Sequence, residues 1–358
     1  MAFMKSYHVG LSQRDEDVVK DLRSWKSVLK ADPTEWLLGE DNPSVRCFTL
    51  LEVLDKSEND PQVKKSRKAI MQVGAVPKIL SKQKSGGYWE VAEDFYVSKY
   101  EGTVWQLMVL AELGADPDEE RVKRACEFVL EHSQDRESGG FSHRQGSDGG
   151  GAHDKVLPCL TGNMIWSLIR LGHLDDARVK RGIEWIARYQ RFDDAVEKPA
   201  KGWPYDNHER CYGTHSCHMG VVKALKALAE IPADKRSESV KCTIEKGAGY
   251  LLKHHVHKRS HDLTHVSKTE WLHFGFPLMW NTDALEILDI LTKLGYHDER
   301  MQEAIDLVVS KQDDLGRWKL ERSFNGRLQV NIEQKGKPSK WVTLNALRVL
   351  KRFYIEPP

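Results

Sequence analysis

Gln83-Lys84-Ser85-Gly86-Gly87-Tyr88-Trp89 and Gln312-Asp313-Asp314-Leu315-Gly316-Arg317-Trp318 stand near opposite ends of the chain, and both read Q-x3-G-x-W. Three degenerate copies lie between them. They are Gln134 through Gly139-Gly140-Phe141, Gln190 followed after an insertion by Gly202-Trp203-Pro204, and Phe274-Gly275-Phe276-Pro277, which lacks the Gln. A Gln at a helix end satisfies backbone groups that have no intrahelical partner. Gly permits a sharp turn. Trp buries a large ring between neighbouring helix pairs. Gln83, Trp89, Gln312 and Trp318 are therefore read as staples that fix a repeat, not as catalysts.

A Thr opens the helix after each copy, at Thr103, Thr161, Thr214, Thr282 and Thr343. The period is near 60 residues, too long for common two-helix solenoid units. It suits two helices joined by a long loop. Apolar residues at helical spacing (Leu160, Met164, Leu168, Leu171; Leu285, Leu288, Leu291, Leu294; Trp341, Leu344, Leu347, Leu350) predict one set of helices near 44–54, 102–114, 160–172, 214–230, 281–295 and 341–354. A second set is predicted near 62–83, 118–133, 175–190, 237–255 and 298–312, with 14–30 as the twelfth helix. Leu113-Gly114, Leu171-Gly172 and Leu294-Gly295 punctuate helix ends. The expected fold is all-α, an (α/α)6-type double toroid of inner and outer helices. Residues 1–358 form a single domain in which 1–60 close the ring and 60–355 carry the repeats. No strand is expected. The Gly-rich stretch 138–151 and the His-rich stretch 256–272 read as loops, and loops this long in a compact domain are usually functional.

The chain has 358 residues, 54 Lys+Arg against 53 Asp+Glu, and a net charge of +1. That balance excludes a strongly basic nucleic-acid binder, so no nucleic-acid partner is expected. No apolar run reaches the ~18 residues needed for a membrane span, and the first residues have no secretory apolar region, so the expected location is cytoplasmic. Six cysteines do not make a disulfide scaffold. Cys47, Cys126 and Cys242 sit alone in helical patterns and read as small apolar residues. Oligomeric state is not legible.

The Q-x3-G-x-W copies, the Gly-aromatic loops and the alternating helix pairs resemble the squalene-cyclase and protein-prenyltransferase β-subunit superfamily. More closely, Cys159-Leu160-Thr161-Gly162-Asn163, His215-Ser216-Cys217-His218-Met219-Gly220, Phe274-Gly275-Phe276-Pro277-Leu278-Met279 and Pro338-Ser339-Lys340-Trp341 resemble a bacterial and archaeal set of prenyltransferase/squalene oxidase repeat proteins of unestablished activity. The resemblance covers roughly residues 60–355 and implies fold more strongly than chemistry. The acidic D-x-D-D motif of class II terpene cyclases does not occur. Asp193-Asp194-Ala195-Val196-Glu197 is a lone near-match to the magnesium-binding acidic motif of class I and reads as solvated surface.

The resemblance also implies zinc. Prenyltransferase β subunits hold a catalytic zinc at inner-helix starts with Asp, Cys and His. Cys159 lies just before one such helix, and Cys211-Tyr212-Gly213-Thr214-His215-Ser216-Cys217-His218 begins the next. The family's Asp-x-Cys is not matched, because Leu157 stands at the Asp position. Lanthionine synthetases, also α toroids, offer a second analogy in their Cys-Tyr-Gly and Cys-His segments. Thiolate and neutral imidazole are the ligands zinc prefers. The expected metal set is Cys159, Cys211 and His215, with Cys217 or His218 as fourth ligand or support. Three ligands and an open position would make the zinc catalytic, and four would make it structural.

Inner-helix N-termini would ring one mouth of a central cavity and favour anionic groups there. Asp283 and Lys340 are the candidate catalytic residues, orienting substrate. Tyr88, Trp89, Tyr96, Tyr100, Trp203, Tyr205, Tyr212, Phe274, Phe276 and Trp280 would supply aromatic walls for an apolar ligand. The leading reading is a zinc-dependent, transferase- or cyclase-like enzyme acting on an apolar or isoprenoid-like small molecule. The alternative is a non-catalytic toroid that binds a lipid or partner, with structural zinc or none. A carbohydrate-active (α/α)6 enzyme needs two inward carboxylates, and no such pair stands out.

Overall fold

A computed structural model describes residues 25–355. The helices are α1 (Pro43–Phe48, continued by a wider turn over Thr49–Val53), α2 (Pro61–Ile70), α3 (Ala75–Leu80), α4 (Thr103–Glu112), α5 (Glu120–His132), α6 (Pro158–Arg170), α7 (Ala177–Tyr189), α8 (His218–Ala229), α9 (Glu238–Lys253), α10 (Ala284–Lys293), α11 (Gln302–Ser310) and α12 (Lys340–Tyr354). Contacts run from α4 to α6, α8, α10, α12 and back to α1. The remaining gap is closed by the Ser44 hydroxyl, which donates to Leu113 O at 2.7 Å. Helices α2, α5, α7, α9 and α11 each pack on the ring helix that precedes them. The ring helices α4, α6 and α8 are buried nearly all round. The outer α5 and α7 bury one face only, as amphipathic helices do.

The repeat loops have a common geometry. The Trp89 and Trp318 rings donate to helix carbonyls of Ile79 and Val308 at 2.9 and 2.7 Å. The backbone N–H groups of Trp89, Phe141 and Trp318 donate to the hydroxyls of Thr103, Thr161 and Thr343 at 3.2, 2.9 and 3.0 Å. At Thr103, Thr161 and Thr343 the recurring Thr is thus the acceptor that ties the aromatic loop to its ring helix, whereas Thr214 lies in a hairpin before α8 and the Thr282 hydroxyl donates to Asp283 O. Gln83 and Gln134 donate to Arg121 O and Arg178 O in the next outer helix, both at 2.8 Å. Gln312 donates instead to Val28 O at 3.0 Å, so the last staple grips the first described turn. Gly87 and Gly139 have φ of +86° in these turns, where a Cβ would also strike Arg124 and Arg181.

Four expectations change. The helix anticipated over 62–83 breaks at Gly74 (φ +89°) into α2 and α3. The helix anticipated from 214 begins only at His218, because 212–216 turn back as a hairpin. The His-rich loop contains a two-stranded antiparallel ribbon, β1 (Lys258–Arg259) and β2 (Asp262–Val266). Of the helix anticipated over 14–30, residues 14–24 lie outside the described residues, and Trp25–Val28 form a 3-10 turn.

Candidate functional site

Helices α6 and α8 are neighbours in the ring, their N-terminal ends carry two thiols, and a third lies in the short helical turn Glu209–Tyr212 that precedes α8. Cys159 is in the first turn of α6, and Cys217 is the N-cap of α8. The hairpin brings Cys211 back to them. Tyr212 pairs antiparallel with Ser216, and the Cys217 N–H donates to Cys211 O at 3.0 Å. The hairpin is sewn to the preceding segment by Ser216 N–H to Asp193 O at 2.8 Å and by Val196 N–H to Thr214 O at 3.0 Å. The Tyr250 hydroxyl donates to Ser216 O at 3.0 Å. All three cysteines are partly exposed.

The Cys211 thiol and the backbone N–H groups of Met219 and Gly220 favour the ionised Cys217 sulfur. The Cys211 hydrogen bond is the largest influence, and together these donors hold Cys217 below the ordinary thiol range against its burial, while Cys211 is pushed up. That is the physics of a helix N-terminus acting on sulfur. Burial and the negative charge of Cys217 push Cys159 up to about 12. Tyr96 and Tyr212 lie close enough to feel Cys159 and Cys211, and both phenols are raised, chiefly by burial. Tyr96 packs on Trp105 at 5.0 Å, and Tyr100 packs on Phe324 at 4.3 Å while accepting from Trp280 Nε1 at 3.0 Å.

The two histidines of the expected metal set point elsewhere. His215 is half exposed, with Nδ1 3.2 Å from the Thr214 hydroxyl and Nε2 3.7 Å from Asp194. His218 packs on Trp271 at 4.5 Å and edge-on to His254 at 5.0 Å, and its Nε2 is buried without a hydrogen-bond partner. Burial lowers its pKa to about 3, so it is neutral. Among the described residues no group of three or more His, Cys, Asp or Glu is arranged to hold a metal ion. Cys211 and Cys217 are thus tied by their backbones beside the start of α8, Cys159 stands at the start of the neighbouring α6, and His215 and His218 face Asp194 and Trp271. The hairpin decides this, because it removes residues 211–216 from α8 and with them the helical spacing that would have put Cys211, His215 and His218 on one face.

Asp283 and Lys340 are not brought to one point. Asp283 caps α10, accepting from Glu286 N–H and Gly275 N–H, each at 2.9 Å. It lines a central cavity, and burial, opposed by those donors, pushes its pKa up to about 7. Lys340 is absent from that lining: its ammonium pairs with Asp41 and lies 5.5 Å from the Trp36 ring. Asp193 and Asp194, expected to be solvated, have side chains only 10% and 7% exposed and are held by Arg191 and Lys253.

The central cavity itself was not legible. Its volume is about 80 Å³ and its walls are crossed by ion pairs. Lys223 is fully buried and donates to both Glu286 oxygens at 2.7 Å. Lys226 bridges Glu112 at 2.6 Å and Glu286 at 3.1 Å, and Lys293 meets Glu230 at 2.6 Å. Of the ten rings expected to line a cavity, Phe276 alone borders this one. Ligand sites for drug-sized molecules usually measure ~300–1,000 Å³, so this space suits a few waters. A second unforeseen cluster lies on the Gly-rich loop. There His153 Nδ1 is 2.8 Å from the buried Asp135 carboxylate, and the imidazole stacks on Trp203 at 4.2 Å. Lys223 interrupting the run Val221-Val222-Lys223-Ala224-Leu225 was the one sequence signal of the buried charge.

No protein-family model matches the chain, and no curated protein matches it. Among solved structures it is similar to a variant of the type II terpene cyclase MstE from Scytonema in complex with geranylgeranyl dihydroxybenzoate, at 15% identity and TM-score 0.39 over 88% of this chain and 87% of that one. A protein from Actinoplanes is similar at 15% identity and TM-score 0.41, over 87% of this chain and 89% of that one. Among the described residues no helix is long and apolar enough to cross a membrane.

Proposed function

We propose that the chain is a double α/α toroid enzyme of transferase or cyclase type whose reacting group is the Cys217 sulfur. The observation that carries this is the Cys211–Cys217 tie at the start of α8, where the Cys217 N–H donates to Cys211 O at 3.0 Å and the first backbone N–H groups of α8 favour an ionised Cys217 sulfur. Such donors favour the thiolate, which is the nucleophilic form. Tyr96 and Tyr212, close enough to the thiols to feel Cys159 and Cys211, support an apolar, isoprenoid-like electrophile as partner. Cys217 would attack carbon, the leaving group would depart as an anion, and the helix N-terminus would favour negative charge there. Asp283 would act from the far side of the loop 275–281 by holding it, through Gly275, rather than by touching substrate.

The test is intact-mass analysis of the full chain after incubation with a prenyl electrophile. The expected result is one prenyl adduct on Cys217 in the wild type and at least a tenfold slower reaction in Cys217→Ser. Equal labelling of Cys242 and Cys217 would refute the assignment. Zinc at the same cysteines is a separate reading. It requires His215 to leave Asp194 and turn to the thiols. Metal content of protein purified without a His tag tests it: about one zinc per chain, lost in Cys211→Ser and His215→Ala, would support it. The non-catalytic reading is favoured by one observation, the small ion-paired central cavity, and would stand if no electrophile or thiol substrate reacts.

A further inference from the structure

Cys211 and Cys217 flank the Tyr212–Ser216 bridge and are joined by a backbone hydrogen bond of 3.0 Å. That single bond, with the Cys211 N–H given instead to His208 O at 2.7 Å, holds the two Cα atoms within roughly 6.5 Å by ordinary backbone bond lengths. A disulfide spans Cα separations of ~4.4–6.8 Å. The two thiols also lie close enough for each to shift the other's ionisation. Both residues are partly exposed. Of the other cysteines, Cys47 and Cys126 are buried in separate helices, and Cys242 is exposed on α9. Cys159 is the third thiol near the pair, but it sits on a different helix and has no backbone tie to either.

We propose that Cys211 and Cys217 form a redox-active dithiol that exchanges with small disulfides of the glutathione class and closes to a Cys211–Cys217 disulfide. In the first step the Cys217 thiolate attacks one sulfur of the small disulfide. That S–S bond breaks, and one small thiolate leaves and takes a proton from water. In the second step Cys211 gives its proton to solvent and attacks the Cys217 sulfur of the mixed disulfide. The second small thiolate leaves. One disulfide has been reduced to two thiols, and the protein dithiol has been oxidised, so electrons balance. A small thiol reverses both steps. The oxidised hairpin offers no free sulfur at the α8 N-terminus, which makes the pair a gate on any chemistry at Cys217. The inference does not depend on Cys217 reacting with a prenyl group.

The experiment uses the full chain, oxidised glutathione as the probe, quenching with N-ethylmaleimide, and tryptic mass spectrometry. Arg210 and Lys223 place Cys211 and Cys217 together in peptide 211–223, while Lys155 and Arg170 place Cys159 in peptide 156–170. The expected result is peptide 211–223 two hydrogens lighter and free of label, with Cys159 still labelled, and full reversal by dithiothreitol. In Cys211→Ser the glutathione should stay on Cys217 at least tenfold longer. In Cys159→Ser the 211–217 disulfide should form as in the wild type, which covers the case that the first variant folds poorly. The proposal is overturned by a cross-link between 156–170 and 211–223. It is equally overturned if the wild type stops at the mixed disulfide, or if both cysteines of 211–223 remain labelled.

Discussion

Gly162→Ala sets two known effects against each other. Gly162 lies in α6 where that helix touches α8, and a Cβ there would sit 2.5 Å from Lys223 O and 2.7 Å from Ala224 N. An isolated helix would gain ~1 kcal/mol from the change, because Ala is the better helix former. Packing opposes it. The atoms met are backbone atoms of a buried helix, so no side chain can swing aside, and α6 and α8 must part by roughly 1 Å in a core with few voids. Overpacking of this kind costs ~1–3 kcal/mol or more. The upper end applies here, because α8 moves as a unit and carries the Lys223–Glu286 pair with it. The net expectation is a loss of about 2 kcal/mol, read as a lower midpoint in urea unfolding followed by tryptophan fluorescence. The same separation draws Cys159 away from Cys217, so Cys159 should label faster with a maleimide. A midpoint equal to or above the wild type would refute the reasoning, since helix propensity would then have outweighed the contact.

Lys223→Met strips Glu286 of its bidentate partner inside the ring and should cost ~3–5 kcal/mol in urea unfolding, with much of the loss recovered in Lys223→Met/Glu286→Leu; no recovery would mean that the pair matters through shape alone. Asp283 is raised by burial to about 7, so its protonated form contributes stability that is complete below the unfolded carboxyl value and is lost as pH rises through about 7. At ~1.4 kcal/mol per pKa unit that contribution is at most roughly 4 kcal/mol, and Asp283→Asn should flatten the dependence of the urea midpoint on pH between 4 and 7. Cys217 is lowered by Cys211 and two backbone N–H groups, so its iodoacetamide rate should reach half its maximum below the free-thiol value of ~8.5, and Cys211→Ala should move that midpoint upward. Thr343→Val removes the acceptor for Trp318 N–H in a buried loop and should cost ~1–3 kcal/mol by urea unfolding.

The helices around Leu160–Leu171, Leu285–Leu294 and Trp341–Leu350 were legible because amphipathic spacing is a local property of the chain, as were the Gln, Gly and Trp that turn each loop. Cys159 and Cys217 do stand at helix starts, in the first turn of α6 and at the N-cap of α8. Their partners were not found. Residues 211–218 carry a helix-like pattern, yet the Asp193–Val196 segment pairs with the hairpin and takes 212–216 out of α8, sending His215 to Asp194 and His218 to Trp271. That pairing joins stretches separated by an insertion, and no local signal encodes it.

The same holds for the centre of the ring. Glu112, Lys226, Glu230, Glu286 and Lys293 each read as an ordinary charge when taken one helix at a time, and only Lys223, set in an apolar run, signals burial. Closure of the ring turns them toward each other and away from water, where a charge persists only if it is paired. Amino-acid order thus determined the alternation of helices and the turn chemistry between them, because those depend on neighbours in sequence. Only the tertiary structure decided that the buried acids and bases pair with each other and that His215 and His218 face Asp194 and Trp271, because those depend on side chains from different elements meeting.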